Sequence, residues 1–138
     1  MGSQARVLHH QHPVFIRAQI AYNAAGIAGG VVVGHIPAGA RIRPVEAFVT
    51  TAFNASLTNP VQVGFIAESN GQPVAAITPQ TQLAVVAGQT AGYALAAAPA
   101  GQNGVATTDL AVVVSFVPTG TAPTAGVADV VVSYYPNL

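Results

Sequence analysis

The chain has 138 residues and a mass of 13.8 kDa, enough for one hydrophobic core and not for two. Only 6% of the residues are charged, four arginines against four acids with no lysine, while 51% are hydrophobic. That composition excludes a phosphate-coating nucleic-acid binder, which needs a positive field, and a disordered chain, which needs low hydrophobicity and high charge.

With no cysteine there is no disulfide framework, thiolate nucleophile or zinc ribbon. Every apolar run is cut by Gly, Pro, Thr, Gln or Asn before the roughly 18 residues a membrane helix requires. Met1 to His12 has no apolar stretch of the kind a secretory signal carries, and Arg6 stands where a myristoylation pattern wants Ser or Thr. Residues 1–13, poor in apolar side chains and ending at Pro13, read as an extended arm; 14–138 reads as a single domain.

In chain order the segments are strands. From Val14 to Tyr22, the apolar Val14, Ile16, Ala18, Ile20 and Tyr22 share one face, opposite Phe15, Arg17, Gln19 and Ala21. This period of two marks a half-buried strand. Val31 to Ile36 is a short β-branched run, and Pro37-Ala38-Gly39 links it to the next segment. Between Arg41 and Thr51 the phase breaks: Ile42 points in, but beyond Pro44 the inward set is Val45, Ala47 and Val49. Pro44 cannot donate to a ladder, so a bulge or kink is expected there. Val61, Val63, Phe65 and Ala67 alternate again, as do Tyr93, Leu95 and Ala97, then Leu110, Val112, Val114 and Phe116, and finally Val130, Val132 and Tyr134. Asn70-Gly71 and Asn103-Gly104 are pairs that tight hairpins prefer. Thr119 to Gly126 is a polar loop before the last strand. Pro73 to Ala87 has two readings, a short helix opened by Thr78-Pro79 or an irregular edge strand. The fold class predicted is all-β, an antiparallel β-sandwich of jelly-roll type.

The outward faces are unusual. Opposite Leu110–Phe116 lie Ala111, Val113, Ser115 and Val117; opposite Tyr93–Ala97 lie Gly92, Ala94, Ala96 and Ala98. Monomers usually carry long polar side chains there, whereas small apolar residues make a smooth surface that another can approach closely. A subunit interface is the favoured reading; cover by the second sheet or by 73–87 is the other.

Few residues offer chemistry. His9, His10 and His12 form the only titratable cluster, and copies around a symmetry axis could gather them on a metal. With no acid or Cys nearby, the adopted reading is solvated or partner-contacting histidines and no metal or cofactor. Arg41 and Arg43, two apart, could clamp a neighbour's carboxylate, and Arg6 joins them as a candidate partner contact in the arm. A triad can be assembled on paper from Ser115 or Ser133, His35 and Asp109 or Asp129, but no nucleophile elbow supports it. Glu46 and Glu68 are isolated and do not read as a glycosidase pair. Gly26-Ile27-Ala28-Gly29-Gly30 lacks the ending of a phosphate loop. Without Trp and with Tyr93, Tyr134 and Tyr22 assigned inward, a sugar platform has little to build on. Asn54-Ala55-Ser56 is a formal glycosylation sequon, read here as chance.

Ile36-Pro-Ala-Gly-Ala-Arg-Ile-Arg-Pro-Val-Glu-Ala-Phe-Val-Thr-Thr-Ala-Phe-Asn-Ala55, followed by Val61-Gln-Val-Gly64 and a closing Ala128-Asp-Val-Val-Val-Ser-Tyr-Tyr135, resembles small β-proteins encoded among tailed-bacteriophage virion genes. The resemblance implies a virion structural role, most like the head decoration (cement) proteins that sit as trimers on the outside of a capsid shell. Its implied partners are further copies of itself, as a homotrimer, and the major capsid protein, with no nucleic acid and no membrane. It implies a protein made in the host cytoplasm and carried on the outer capsid surface, not an enzyme. The alternative is a tail or head-fibre component with a receptor- or glycan-binding role.

Overall fold

The computed structural model describes residues 12–57, 59–71 and 104–136, together with the strand backbone of 81–85 and 92–95. The strands in chain order are β1 (Val14–Ala21), β2 (Val31–Ile36), β3 (Arg41–Ile42), β4 (Glu46–Thr51), β5 (Asn59–Ala67), β6 (Thr81–Val85), β7 (Gly92–Leu95), β8 (Leu110–Phe116) and β9 (Val127–Tyr135). They form two antiparallel sheets. One runs β1-β9-β4-β7, with β3 also paired to β9; the other runs β2-β8-β5-β6.

Taking β3 and β4 as one strand broken at Pro44, the pairings β1–β9, β2–β8, β4–β7 and β5–β6 nest inside one another. The first strand closes on the last, the second on the last but one, and so inward. That nested closure is jelly-roll winding. The break itself follows the predicted phase: Ile42, Val45, Ala47 and Val49 are all buried, and the Arg43 amide still donates to the Ser133 carbonyl at 2.9 Å.

The core lies between the sheets. Ile20, Ile42, Val45, Ala47, Val49, Val130 and Val132 from the first sheet meet Ile36, Val61, Val63, Phe65, Leu110, Val112, Val114 and Phe116 from the second. Full burial of each Val, Leu, Ile or Phe side chain contributes about 1.5–3 kcal/mol, which is how a chain with few ion pairs holds together. Ile27, in the glycine-rich loop after β1, plugs one end of the core, and its carbonyl accepts the Phe116 amide at 3.0 Å.

One predicted feature falls out differently, and one is decided between its two readings. Neither Asn-Gly pair closes a two-residue hairpin: β5 ends at Ala67 and β6 starts at Thr81, while β7 and β8 lie in different sheets. Gly71 and Gly104 do adopt positive φ, at 67° and 71°, so the local turn chemistry is used inside longer connections; Asn103 lies outside the described residues. The segment around Pro73–Ala87 contains a strand, Thr81–Val85, at the edge of the second sheet, the edge-strand reading rather than the helix. Finally, β7 pairs with β4, Tyr93 level with Phe48 and Leu95 with Glu46; the side chains of β7 and residues Ala96 to Ala98, on which the predicted outward face rests, lie outside the described residues.

Candidate functional site

The described residues present two outer sheet faces and a shallow cleft. On the second sheet, register aligns His35, Ala111 and Ile66 in one row and Val32, Val113 and Gly64 in the next. Val32 is 51% exposed, and Val113 and Ile66 are partly so. This is the small apolar outward face predicted for β8. It continues to Ser115, whose hydroxyl donates to Gln62 Oε1 at 3.4 Å, and to the exposed Val117. The edge strand β2 carries a bulge between Val32 and Gly34, which blunts that edge against strand addition.

The outer face of the first sheet has different chemistry. Down β9 the outward residues are Tyr135, Ser133, Val131 and Asp129. Level with them stand Arg41 beside Tyr135, Phe15 beside Ser133, Arg17 and Glu46 flanking Val131, and Gln19 and Phe48 flanking Asp129. Phe15 is 61% exposed and Phe48 49%. Arg17 Nη2 donates to Asp129 Oδ2 at 2.9 Å, a diagonal cross-strand pair of the sort sheets favour. Nothing in the sequence pairs these two, 112 positions apart; only the β1–β9 closure does.

Of the residues proposed as partner contacts, Arg6, His9 and His10 lie outside the described residues, and His12 is exposed ahead of β1. Arg41 and Arg43 flank the buried Ile42. The Arg43 guanidinium lies over the Tyr135 ring, 5.6 Å from its centroid, a cation–π arrangement, and Arg41 is exposed, level with the same tyrosine across the β3–β9 pairing.

A shallow open cleft of about 330 Å³ lies at one end of the second sheet, lined by His35, Ile36, Pro37, Glu68 and Asp109. His35 Nδ1 contacts Glu68 Oε1, the Glu68 amide donates to the Asp109 carbonyl at 3.0 Å, and Asp109 Oδ1 accepts the Ala38 amide at 2.9 Å. Asp109 is thereby a turn-capping residue of the Pro37–Gly39 link. The paper triad does not assemble. Ser115 bonds Gln62 at the far end of β8 from Asp109, and Ser133 sits buried in the other sheet. Among the described residues no group of three or more His, Cys, Asp or Glu side chains gathers to hold a metal.

At the opposite end, the loop after β4 and the loop before β9 are tied by side chains. Asn54 Oδ1 accepts the Thr124 and Ala125 amides at 2.8 and 3.1 Å while its Nδ2 donates to Thr124 Oγ1 at 2.9 Å. Ser56 Oγ accepts the Thr121 amide at 2.7 Å. The asparagine and serine of the formal sequon are structural staples of this loop pair.

Neither protein-family models nor curated protein sequences give a match to the chain. Solved structures do. The chain is similar to one in the "acidic stable capsid" of Helicobacter pylori bacteriophage KHP30, with a TM-score of 0.62 and 19% identity over 92% of this chain and 90% of that one. It is similar to a chain in the capsid of Ralstonia phage GP4, TM-score 0.56 and 15% identity over 93% and 85%. A chain in the capsid asymmetric unit of cyanophage Pam1 gives 0.51 and 15% over 91% and 86%. The protein has the jelly-roll fold found in chains of these phage capsids, matched along nearly the whole length of both partners.

Proposed function

We propose that the protein is a structural component of a bacteriophage virion, a decoration (cement) protein on the outside of the head, and not an enzyme. The observation that carries the reading is the whole-length match to three phage capsid chains, each covered to 85–90%. The shared unit is the entire small jelly roll, not one domain of a larger shell subunit. Function on a fold of this kind lives in its surfaces, and here the surfaces suit assembly. The outer face of β2-β8-β5 presents Val32, Val113 and Ile66 around the small, buried Ala111 and Gly64, a smooth apolar surface that a neighbour can approach closely.

In this reading three copies associate through that face, and the trimer docks on the major capsid protein, helped by the arm at 1–13 with Arg6, His9, His10 and His12. Burying several hundred Å² of such surface yields several kcal/mol gross at about 25 cal/mol per Å², before the entropy of association is subtracted. The His35–Glu68 contact sits at one end of the sheet, and the described lining of the cleft beside it, His35, Ile36, Pro37, Glu68 and Asp109, carries no hydroxyl or thiol.

The test is the copy number of the protein relative to the major shell protein in purified particles, by quantitative mass spectrometry. Hundreds of copies are expected. A handful per particle would overturn the decoration role in favour of the tail or head-fibre alternative.

A further inference from the structure

We infer that the outer face of the β1-β9-β4 sheet binds a second copy of this chain about a two-fold axis, with Arg41 of each copy against Glu46 of the other and the two Phe15 rings against each other. The inference goes beyond the virion role and stands on the chain's own surface. It begins with the charges. Among the described residues, Arg17 pairs with Asp129, His35 with Glu68, Arg43 covers Tyr135, and Asp109 caps the Ala38 amide. Arg41 and Glu46 are the two charged side chains among the described residues with neither a polar partner nor a ring contact. In a chain with so few charges, both lie on this one face.

Their placement is specific. Arg41 is level with Tyr135 and Glu46 with Val131, both on the same side of β9. They are four β9 positions apart, about 13 Å at the usual strand rise, too far to meet within one molecule. Ser133 lies midway, and its register partner is Phe15. Phe15 is the most exposed aromatic among the described residues, at 61%.

Consider two such faces stacked at the roughly 10 Å spacing of packed sheets, related by a two-fold axis that lies between them, perpendicular to the strands and level with Ser133. The rotation reverses position along the strands and preserves position across them. Arg41 then faces Glu46 of the second copy, twice by symmetry, and Phe15 faces Phe15. One axis thus pairs Arg41 with Glu46 and Phe15 with Phe15 at once, the reciprocity that an isologous surface requires. The small Ser133 at the centre, 6% exposed, leaves room for the rings beside it. A three-fold contact through the opposite sheet would leave this face free, and both contacts together would give a hexamer of two trimers.

Charge exchange in the recombinant protein tests the contact. The wild-type mass in solution should be an even multiple of the protomer. Arg41→Glu and Glu46→Arg should each weaken the two-fold association by about a hundredfold or more, because each sets two like-charge pairs face to face, and so halve the observed mass. Arg41→Glu with Glu46→Arg in one chain should restore it. An odd-numbered wild-type species, unchanged mass in both single variants, or a double variant that stays dissociated would overturn the proposal. Because the chain has no cysteine, Phe15→Cys gives a second readout. A short bis-maleimide should link Cys to Cys into a covalent dimer, whereas a head-to-tail contact would leave it unlinked. Loss of these effects would leave the virion role standing, and a copy number that overturned the virion role would leave the two-fold contact untouched.

Discussion

Phe53 and Phe116 meet with ring centroids 4.7 Å apart and planes tilted by 44°. Phe53 follows the end of β4 in one sheet, and Phe116 ends β8 in the other, so the pair spans the sandwich at the loop end; both are fully buried. Tilted aromatic pairs at this separation add about 0.5–1.5 kcal/mol beyond their buried area. Phe53→Ala is expected to lower stability by about 3–5 kcal/mol, read as a drop in the denaturant midpoint at unchanged slope. A loss under about 1 kcal/mol would mean the ring is not part of the cooperative core.

The same ring dictates a glycine. A Cβ at Gly126 would stand 2.2 Å from Phe53 Cδ1, and the φ of +146° is one that side chains rarely adopt. Gly71, at φ +67°, has nothing within 4 Å of such a Cβ. Gly71→Ala should therefore cost only the left-handed backbone preference, about 1 kcal/mol. Gly126→Ala should cost clearly more, because the ring must leave its place in a dense core. Thermal melts of the two variants side by side decide it; equal losses would show that the ring yields freely.

How much of this was readable beforehand depended on whether the two faces of a strand differ. Around β5, β8 and β9 the alternation is between large apolar and smaller or polar groups, and the predicted inward residues are buried, with the small Gly64, Ala111 and Ser133 buried beside them; in β1 only Ile20 of the predicted set is fully buried and Val14 is exposed. The Pro44 break was legible because Ile42 and Val45 cannot share a face across a regular strand. In β7 both faces are apolar, so alternation carries no phase, and its register with β4, Ala94 level with Ala47, comes from the pairing alone. The surface was less legible. Arg41 and Arg43 look equivalent in sequence, yet the break at Pro44 turns Arg43 onto Tyr135 and leaves Arg41 alone. Arg17–Asp129 is invisible until the first and last strands are known to be neighbours.

Asn59, at the start of β5, is a buried polar side chain bonded to the backbone of Ala55. Its Oδ1 accepts the Ala55 amide at 2.9 Å and its Nδ2 donates to the Ala55 carbonyl at 3.1 Å, closing the loop between β4 and β5. Asn59→Ala strands both backbone groups of the buried Ala55, each worth about 1–3 kcal/mol when left without a partner. Asn59→Asp keeps the acceptor but sets a carboxylate against the Ala55 carbonyl, so it should be less stable than wild type at neutral pH. It should recover part of the loss in acid, where the protonated group can donate again. Denaturant midpoints across a pH series check the sign; recovery on raising the pH instead would contradict the bond assignment.

The Arg17–Asp129 pair predicts an asymmetry. Arg17 is 70% exposed but Asp129 only 13%, and Asp129 Oδ1 is buried with no hydrogen-bond partner. The attraction between an exposed guanidinium and its partner is itself worth little, about 0–1 kcal/mol. Removing the arginine is another matter, because it leaves a mostly buried carboxylate with neither oxygen bonded, at a cost of about 1–3 kcal/mol. Arg17→Ala should thus destabilise more than Asp129→Asn, which removes the charge that burial penalises. Arg17→Ala combined with Asp129→Asn should recover most of the Arg17→Ala loss, a coupling visible in a double-mutant cycle. Added salt should change the Arg17→Ala penalty little, since desolvation and not screened attraction sets it. If the two losses simply add, Asp129 is hydrated in solution and the pair is an ordinary surface contact.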